Sequence, residues 1–268
     1  MSTDGSVRLQ AGSVVMKFGG TSVADADAMT RVVNIVRAQW ESQPKGSRPP
    51  VVVVSALSKV TDGLIRTAEM ARTGDAEKAA AALGEVFGRH VGVMMALTTG
   101  QRRDELRQAL ASEFSTPLGE RVVASVRKRE VTPSDHDAIV AMGELGSSLI
   151  VAAAFREQNL PATWVDARQV LVTDAEHMVA APDMEATRKK AVEILAPILA
   201  RNEIPVLGGF IASTRGGVTT TLGRGGSDYS AAIFGACLDV EEIQIWTDVD
   251  GMLTADPRVV PAPRVVPH

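Results

Sequence analysis

The chain has 268 residues, 45% of them hydrophobic, a formal net charge of -4 and a single cysteine. That length and apolar share suffice for one large core or two fused ones, and one cysteine excludes a disulfide within the chain. With so slight a charge and no run of lysine or arginine interleaved with aromatics, nucleic acid and membrane surfaces are not the expected partners, and a small metabolite is.

Residues 1–12 read as an N-terminal tail. A strand over 13–18 leads through the Gly19-Gly20 turn into a helix whose Met29, Val32, Val33 and Val36 form one apolar stripe. The polar, proline-bearing segment 41–50 is a surface connection. Val51-Val52-Val53-Val54 is an all-apolar run suited to a parallel strand covered on both faces. From Thr61 to about Gln158 no strand is legible, only helical stretches such as 105–114 and 137–156, the latter following the start signal Pro133-Ser134-Asp135. Short strands over 162–165 and 170–172 follow, then a helix over 184–201 in spite of Pro197 and a strand over 205–212. A hairpin around Arg215-Gly216-Gly217, a helix over 230–238 and a strand over 242–247 complete the pattern. Strands alternating with helices make an α/β protein interrupted by a helical subregion. Cys237 lies in an apolar helix and reads as a buried thiol. No stretch approaches the roughly 18 uninterrupted apolar residues of a membrane span, and no basic-then-apolar signal opens the chain, so the cytoplasm is the expected compartment.

Two glycine turns carry the chemistry. Lys17 ends the first strand, with Gly19 and Gly20 directly after it. An ammonium there can reach a transferring phosphoryl group while backbone N–H groups bind its oxygens. The same pattern also suits a plain strand-to-helix turn with a solvated lysine, and the Gly-Lys-[Ser/Thr] ending of a Walker A loop is missing. The second turn, Thr221-Leu222-Gly223-Arg224-Gly225-Gly226-Ser227-Asp228, puts a guanidinium, a hydroxyl and a carboxylate within five residues. Ser227 or Asp228 can equally serve as a helix N-cap. Thr247-Asp248-Val249-Asp250-Gly251, at a strand's end, is a third candidate, weaker when taken alone. Glu144 sits inside an apolar helical segment, where a buried carboxylate would need a partner such as a ligand's ammonium, although a glutamate on a polar helix face is the commoner arrangement. The four histidines show no ligand spacing, so no metal site is expected, and neither a Gly-x-Ser-x-Gly elbow nor a nucleophilic triad is present.

Taken together, these residues resemble the catalytic region of the aspartokinases, within the amino acid kinase superfamily. The motifs that carry the resemblance stand in family order: Lys17 to Val23, Val53-Val54-Ser55-Ala56, Met142-Gly143-Glu144, Gly209-Phe210, Thr221 to Asp228, Thr247 to Gly251, and Thr254-Ala255-Asp256-Pro257-Arg258. The resemblance implies a three-layer α/β/α sandwich with a mainly parallel central sheet over 13–268, a domain incomplete at its C-terminus. It implies phosphorylation of the side-chain carboxylate of L-aspartate by ATP with Mg²⁺, the first step toward lysine, threonine and methionine, in a homo-oligomer. Lys17 and Asp228 would be catalytic. Ser55, Thr61, Glu144, Phe210, Arg224 and Ser227 would bind substrate, with Glu144 on the amine and Arg224 on the α-carboxylate. Lys17, Gly19, Gly20, Thr247, Asp248 and Arg258 would bind ATP. The aromatic that the family carries before Thr254 is Leu253 here, so no adenine contact carries over. The alternatives are a superfamily kinase for another metabolite and a binding relative without turnover.

Overall fold

The computed structural model describes residues 13–248, 251, 254–255, 259–260 and 262–266. Five parallel strands form the main sheet in the order β3-β5-β2-β1-β8: β1 (Val14–Phe18), β2 (Val51–Val54), β3 (Ala162–Val165), β5 (Ile204–Gly208) and β8 (Glu242–Trp246). Every residue of β1, β2 and β5 is buried, as the continuous valine run predicts for strands covered on both sides. Helix α7 (Met142–Glu157) packs on β5, β3 and β2, and α1 (Ala26–Ser42) packs against α7. On the other face α8 (Met184–Ala200) and α9 (Gly226–Leu238) lie together, α9 on β1 and β8. These are the three layers expected. A smaller sheet, β4 (Val172–Thr173), β6 (Ile211–Thr214) and β7 (Thr219–Thr221), includes the predicted hairpin as the antiparallel β6–β7 pair.

The helical subregion is α2 (Val60–Thr73), α3 (Ala76–Leu97), α4 (Gly100–Leu110), a π-helical turn at Ala111–Ser115, α5 (Thr116–Lys128) and α6 (Pro133–Val140). The α6 start signal works as a capping box: Thr132 Oγ1 accepts from Asp135 N at 3.1 Å, and Asp135 Oδ2 accepts from Thr132 N at 3.2 Å. By length and composition α3 and the joined α6–α7 would each suffice to cross a bilayer. Residues 137–155 are all buried within this protein, so α6–α7 is an interior helix pair, which explains its lack of a polar face. His90 on α3 is part of that interior: its Nδ1 faces Val86 O at 2.8 Å, and burial pushes its pKa down to about 4. The Cys237 thiol is buried, and desolvation raises its pKa.

Several predicted boundaries move: the helix read as 137–156 is the pair α6 and α7 from Pro133 to Glu157, and the stretch read as 105–114 begins at Gly100 and ends in the π-helical turn. The strand read as 205–212 is two strands in two sheets, because Phe210 adopts φ 66 and turns the chain between β5 and β6. The segment 170–172 is mostly the exit from a 3₁₀ turn at Ala167–Gln169, and β4 begins only at Val172. The last long helix starts at Gly226, four residues before its predicted start at 230, so Ser227 and Asp228 lie in its first turn. Its N-cap is Gly225 in left-handed conformation, and neither Ser227 nor Asp228 caps it.

Candidate active site

A cleft of about 440 Å³ opens at the carboxyl ends of β1, β2 and β5. Parallel α/β sheets commonly bind ligands there, because the crossovers leave the strand ends uncovered. Among the predicted residues, Lys17, Gly20, Ser55, Thr61, Glu144, Phe210, Ser227 and Asp228 all line it.

Lys17 is the fourth residue of a fully buried strand, and its side chain is only 9% exposed. A lone ammonium so enclosed would be costly, and Asp228 Oδ1 at 2.6 Å supplies the countercharge. The solvated-lysine alternative is therefore overturned by burial. Asp228 stands in the first turn of α9, where the helix dipole favours a carboxylate, and remains half exposed toward the cleft. Two helices aim N-terminal turns at this space, α2 with Lys59, Thr61 and Asp62 and α9 with Gly226, Ser227 and Asp228. Unpaired N–H groups at such turns suit anionic oxygens.

Glu144 is 4% exposed, so the polar-face alternative is also overturned. Its Oε1 accepts from Ala56 N at 3.2 Å, while Oε2 has no hydrogen-bond partner among the described residues. Burial raises its pKa to about 8. The carboxyl thus borders the cleft with one oxygen unsatisfied, ready for a cationic donor. Ser147 Oγ donates to Ser55 O at 2.7 Å and ties α7 to the end of β2 beside it. Phe210 is held by its own N–H donating to Ser230 Oγ at 2.8 Å.

Other predicted residues stand differently. Gly19 N donates to Trp246 O at 3.1 Å, so this N–H serves the β1–β8 junction rather than a ligand, and Gly20 is the one of the pair that lines the cleft. Arg224 is exposed on the loop between Gly223 and Gly225, which line the cleft while its side chain does not. Thr247 and Asp248 are exposed just beyond β8, with Thr247 Oγ1 donating to Asp248 Oδ1 at 3.0 Å. Arg258 lies outside the described residues, as does Leu253. Lys59 and Asp62 line the cleft without having been anticipated. The apolar spacing of Val60, Leu64, Thr67, Ala68 and Ala71 is the signal that would have located α2 and its N-terminus. No group of three or more His, Cys, Asp or Glu able to hold a metal occurs among the described residues.

Known proteins resemble the chain in sequence and in fold. The model of the amino acid kinase family matches residues 12–268. The chain is 38% identical over 258 residues to lysine-sensitive aspartokinase 3 of Escherichia coli, covering 94% of this chain and 52% of that protein. It is 36% identical to the chloroplastic bifunctional aspartokinase/homoserine dehydrogenase 2 of Zea mays, covering 92% of this chain and 26% of that protein. The solved structure of E. coli aspartokinase III in complex with aspartate and ADP superposes with a TM-score of 0.81 at 35% identity, over 94% of this chain and 53% of that one. The chain therefore spans about half the length of the bacterial relative and a quarter of the maize enzyme. Sheet order, cleft and family match lead to one conclusion: the chain belongs to the amino acid kinase family.

Proposed function

We propose that this chain transfers the γ-phosphoryl group of Mg-ATP to the side-chain carboxylate of L-aspartate, giving 4-phospho-L-aspartate and ADP. The observation that carries the reading is Glu144, a buried carboxyl with one unsatisfied oxygen in the same cleft as a lysine and two helix N-termini. An amino acid fits that pairing, its ammonium on Glu144 and its acidic side chain toward Lys17. Kinship to enzymes named aspartokinases, and likeness to a structure holding aspartate and ADP, support the substrate pair.

On this reading the aspartate carboxylate oxygen attacks the γ-phosphorus, and the bond from that phosphorus to the β–γ bridging oxygen breaks. The nucleophile is already ionised, so no general base is needed, and ADP leaves with the bridging oxygen's electron pair. Lys17 neutralises charge on the transferring group, and Asp228 keeps its ammonium aimed until ATP arrives. The first turn of α9 and the Gly20 turn offer N–H groups to phosphate oxygens. Mg²⁺ enters with the nucleotide as part of the substrate, with Asp62 and Asp228 as the carboxylates that line the cleft nearest to the helix ends. Arg224 would meet the α-carboxylate from the bordering loop. The chemistry is positioning and charge neutralisation.

Hydroxylamine added to the protein with Mg-ATP and L-aspartate tests this directly, because it traps an acyl phosphate as the hydroxamate. Aspartyl hydroxamate that requires both substrates is the expected result. Formation of ADP without hydroxamate would exclude phosphorylation of a carboxylate.

A further inference from the structure

Asp137, on α6, has no exposed surface and does not line the cleft. Its Oδ1 accepts from Thr221 Oγ1 at 2.7 Å and from Met178 N at 3.2 Å. Its Oδ2 accepts from Met178 N at 3.0 Å and faces His177 Nδ1 at 2.8 Å. These contacts reach just two segments, the connection between β4 and α8 and the last residue of β7. Ala180 N also donates to Thr221 O at 2.9 Å, so the two segments are joined by backbone as well.

Both segments border the loop that carries Arg224. Thr221 precedes Leu222 and Gly223 in the chain, and Leu222 N donates to Phe210 O at 3.0 Å. Met178 supports the loop from the other side: a Cβ placed on Gly223 would lie 3.0 Å from Met178 O, and Gly223 itself has φ 76. Only glycine accepts both the conformation and the close approach. Met178 also has φ 71, a left-handed state that costs a side chain other than glycine conformational energy. The Asp137 carboxylate, bonded to that residue's own N–H, offsets this strain. Removing the carboxylate would leave Met178 free to relax and take the seat of Gly223 with it.

We propose that Asp137 is a positioning residue for the loop 223–226, fixing through Met178 and Thr221 the backbone from which Arg224 meets a bound amino acid. The identity of that amino acid rests on the function proposed above; the ordering of the loop does not. Asp137→Asn keeps the shape and one acceptor but turns the other oxygen into a donor that faces Met178 N–H and His177. Thr221→Val removes a single contact and serves as the milder variant should Asp137→Asn fold poorly.

Hydrogen exchange measured by mass spectrometry on the whole chain reads the loop without any ligand. Loss of a buried hydrogen-bond acceptor should speed exchange over 176–181 and 221–227 by about tenfold or more in Asp137→Asn, and less in Thr221→Val, with α3 unchanged. Adding Met178→Gly to Asp137→Asn removes the left-handed strain and should bring exchange over 221–227 back toward the wild-type rate. Unchanged exchange over 221–227, or acceleration spread evenly through α3, would overturn the proposal. Calorimetry of the same variants should show L-aspartate binding weakened by about tenfold with ATP binding unchanged. Wild-type protein that binds no L-aspartate would refute the proposed substrate, while the exchange data would still decide the role of Asp137.

Discussion

Glu144 is the buried side chain on which the proposed chemistry most depends. With its folded pKa near 8, the carboxyl is mostly protonated at neutral pH, yet an ammonium ligand pairs only with the ionised form. If L-aspartate binds as proposed, its binding must then release a proton. The affinity for L-aspartate should climb toward tenfold per unit between about pH 6 and pH 8 and level off above, seen by calorimetry in buffers of different ionisation enthalpy. The ligand-free protein has the opposite dependence. Its folded pKa lies above the ordinary 4.5, so the stability contributed by this group is complete below that value and is lost as pH rises through about 8. Glu144→Gln should flatten that loss in a denaturation series and abolish the proton release. In the proposed reaction Lys17 serves the other half, the phosphoryl group. Lys17→Ala should lower turnover on the order of a hundredfold to a thousandfold, with little change in aspartate affinity. A large rise in the aspartate KM with turnover preserved would move Lys17 to the substrate side.

At the scale of elements, the meeting of β5 and α7 places Glu144. Gly208 ends β5, and a Cβ added there would lie 2.9 Å from Glu144 Cβ and 3.0 Å from Glu144 O, two atoms that cannot easily yield. Gly208→Ala should therefore destabilise the fold by about 1 to 3 kcal/mol by overpacking and weaken aspartate binding as α7 is pushed off the strand. Chemical denaturation and calorimetry on one preparation would check both, and intact affinity would show that this contact does not set the position of Glu144. The β5–β6 junction was illegible for a related reason. Apolar character runs unbroken from Val206 to Ala212 apart from two glycines, and periodicity carries no mark for a phenylalanine at φ 66. The early start of α9 was hidden likewise, since Gly-Gly-Ser-Asp reads as a turn until Gly225 is seen to cap a helix. By contrast β1, β2, β3 and α8 were legible almost to the residue, because each is a strongly patterned run ended by local chemistry.

Across the whole molecule the sheet order ranks local stability. β2 lies at the centre, paired to β1 and β5 and buried throughout, whereas β8 is one of the two edge strands and mostly exposed, with Ile243, Ile245 and Trp246 all above a third exposed. Amides of β2 should exchange slowest and those of β8 faster on the order of a hundredfold, as read by peptide-level hydrogen exchange. Equal protection of the two strands would mean that the β8 edge is covered in solution.

Composition, the valine strand, the glycine turns and the order of motifs were enough to indicate an α/β sheet and to name in advance many of the residues that line its cleft. These signals are local: they record what each segment must bury and where its backbone must turn. Tertiary structure alone decided that Lys17 meets Asp228 from a distant helix, that Glu144 keeps an unsatisfied oxygen, and that Gly19 serves the sheet while Gly20 lines the cleft. It alone drew Asp137, His177, Met178 and Thr221 into one cluster. The physical reason is that burial and pairing belong to two surfaces at once, and a periodic pattern describes one surface without naming what comes to lie against it.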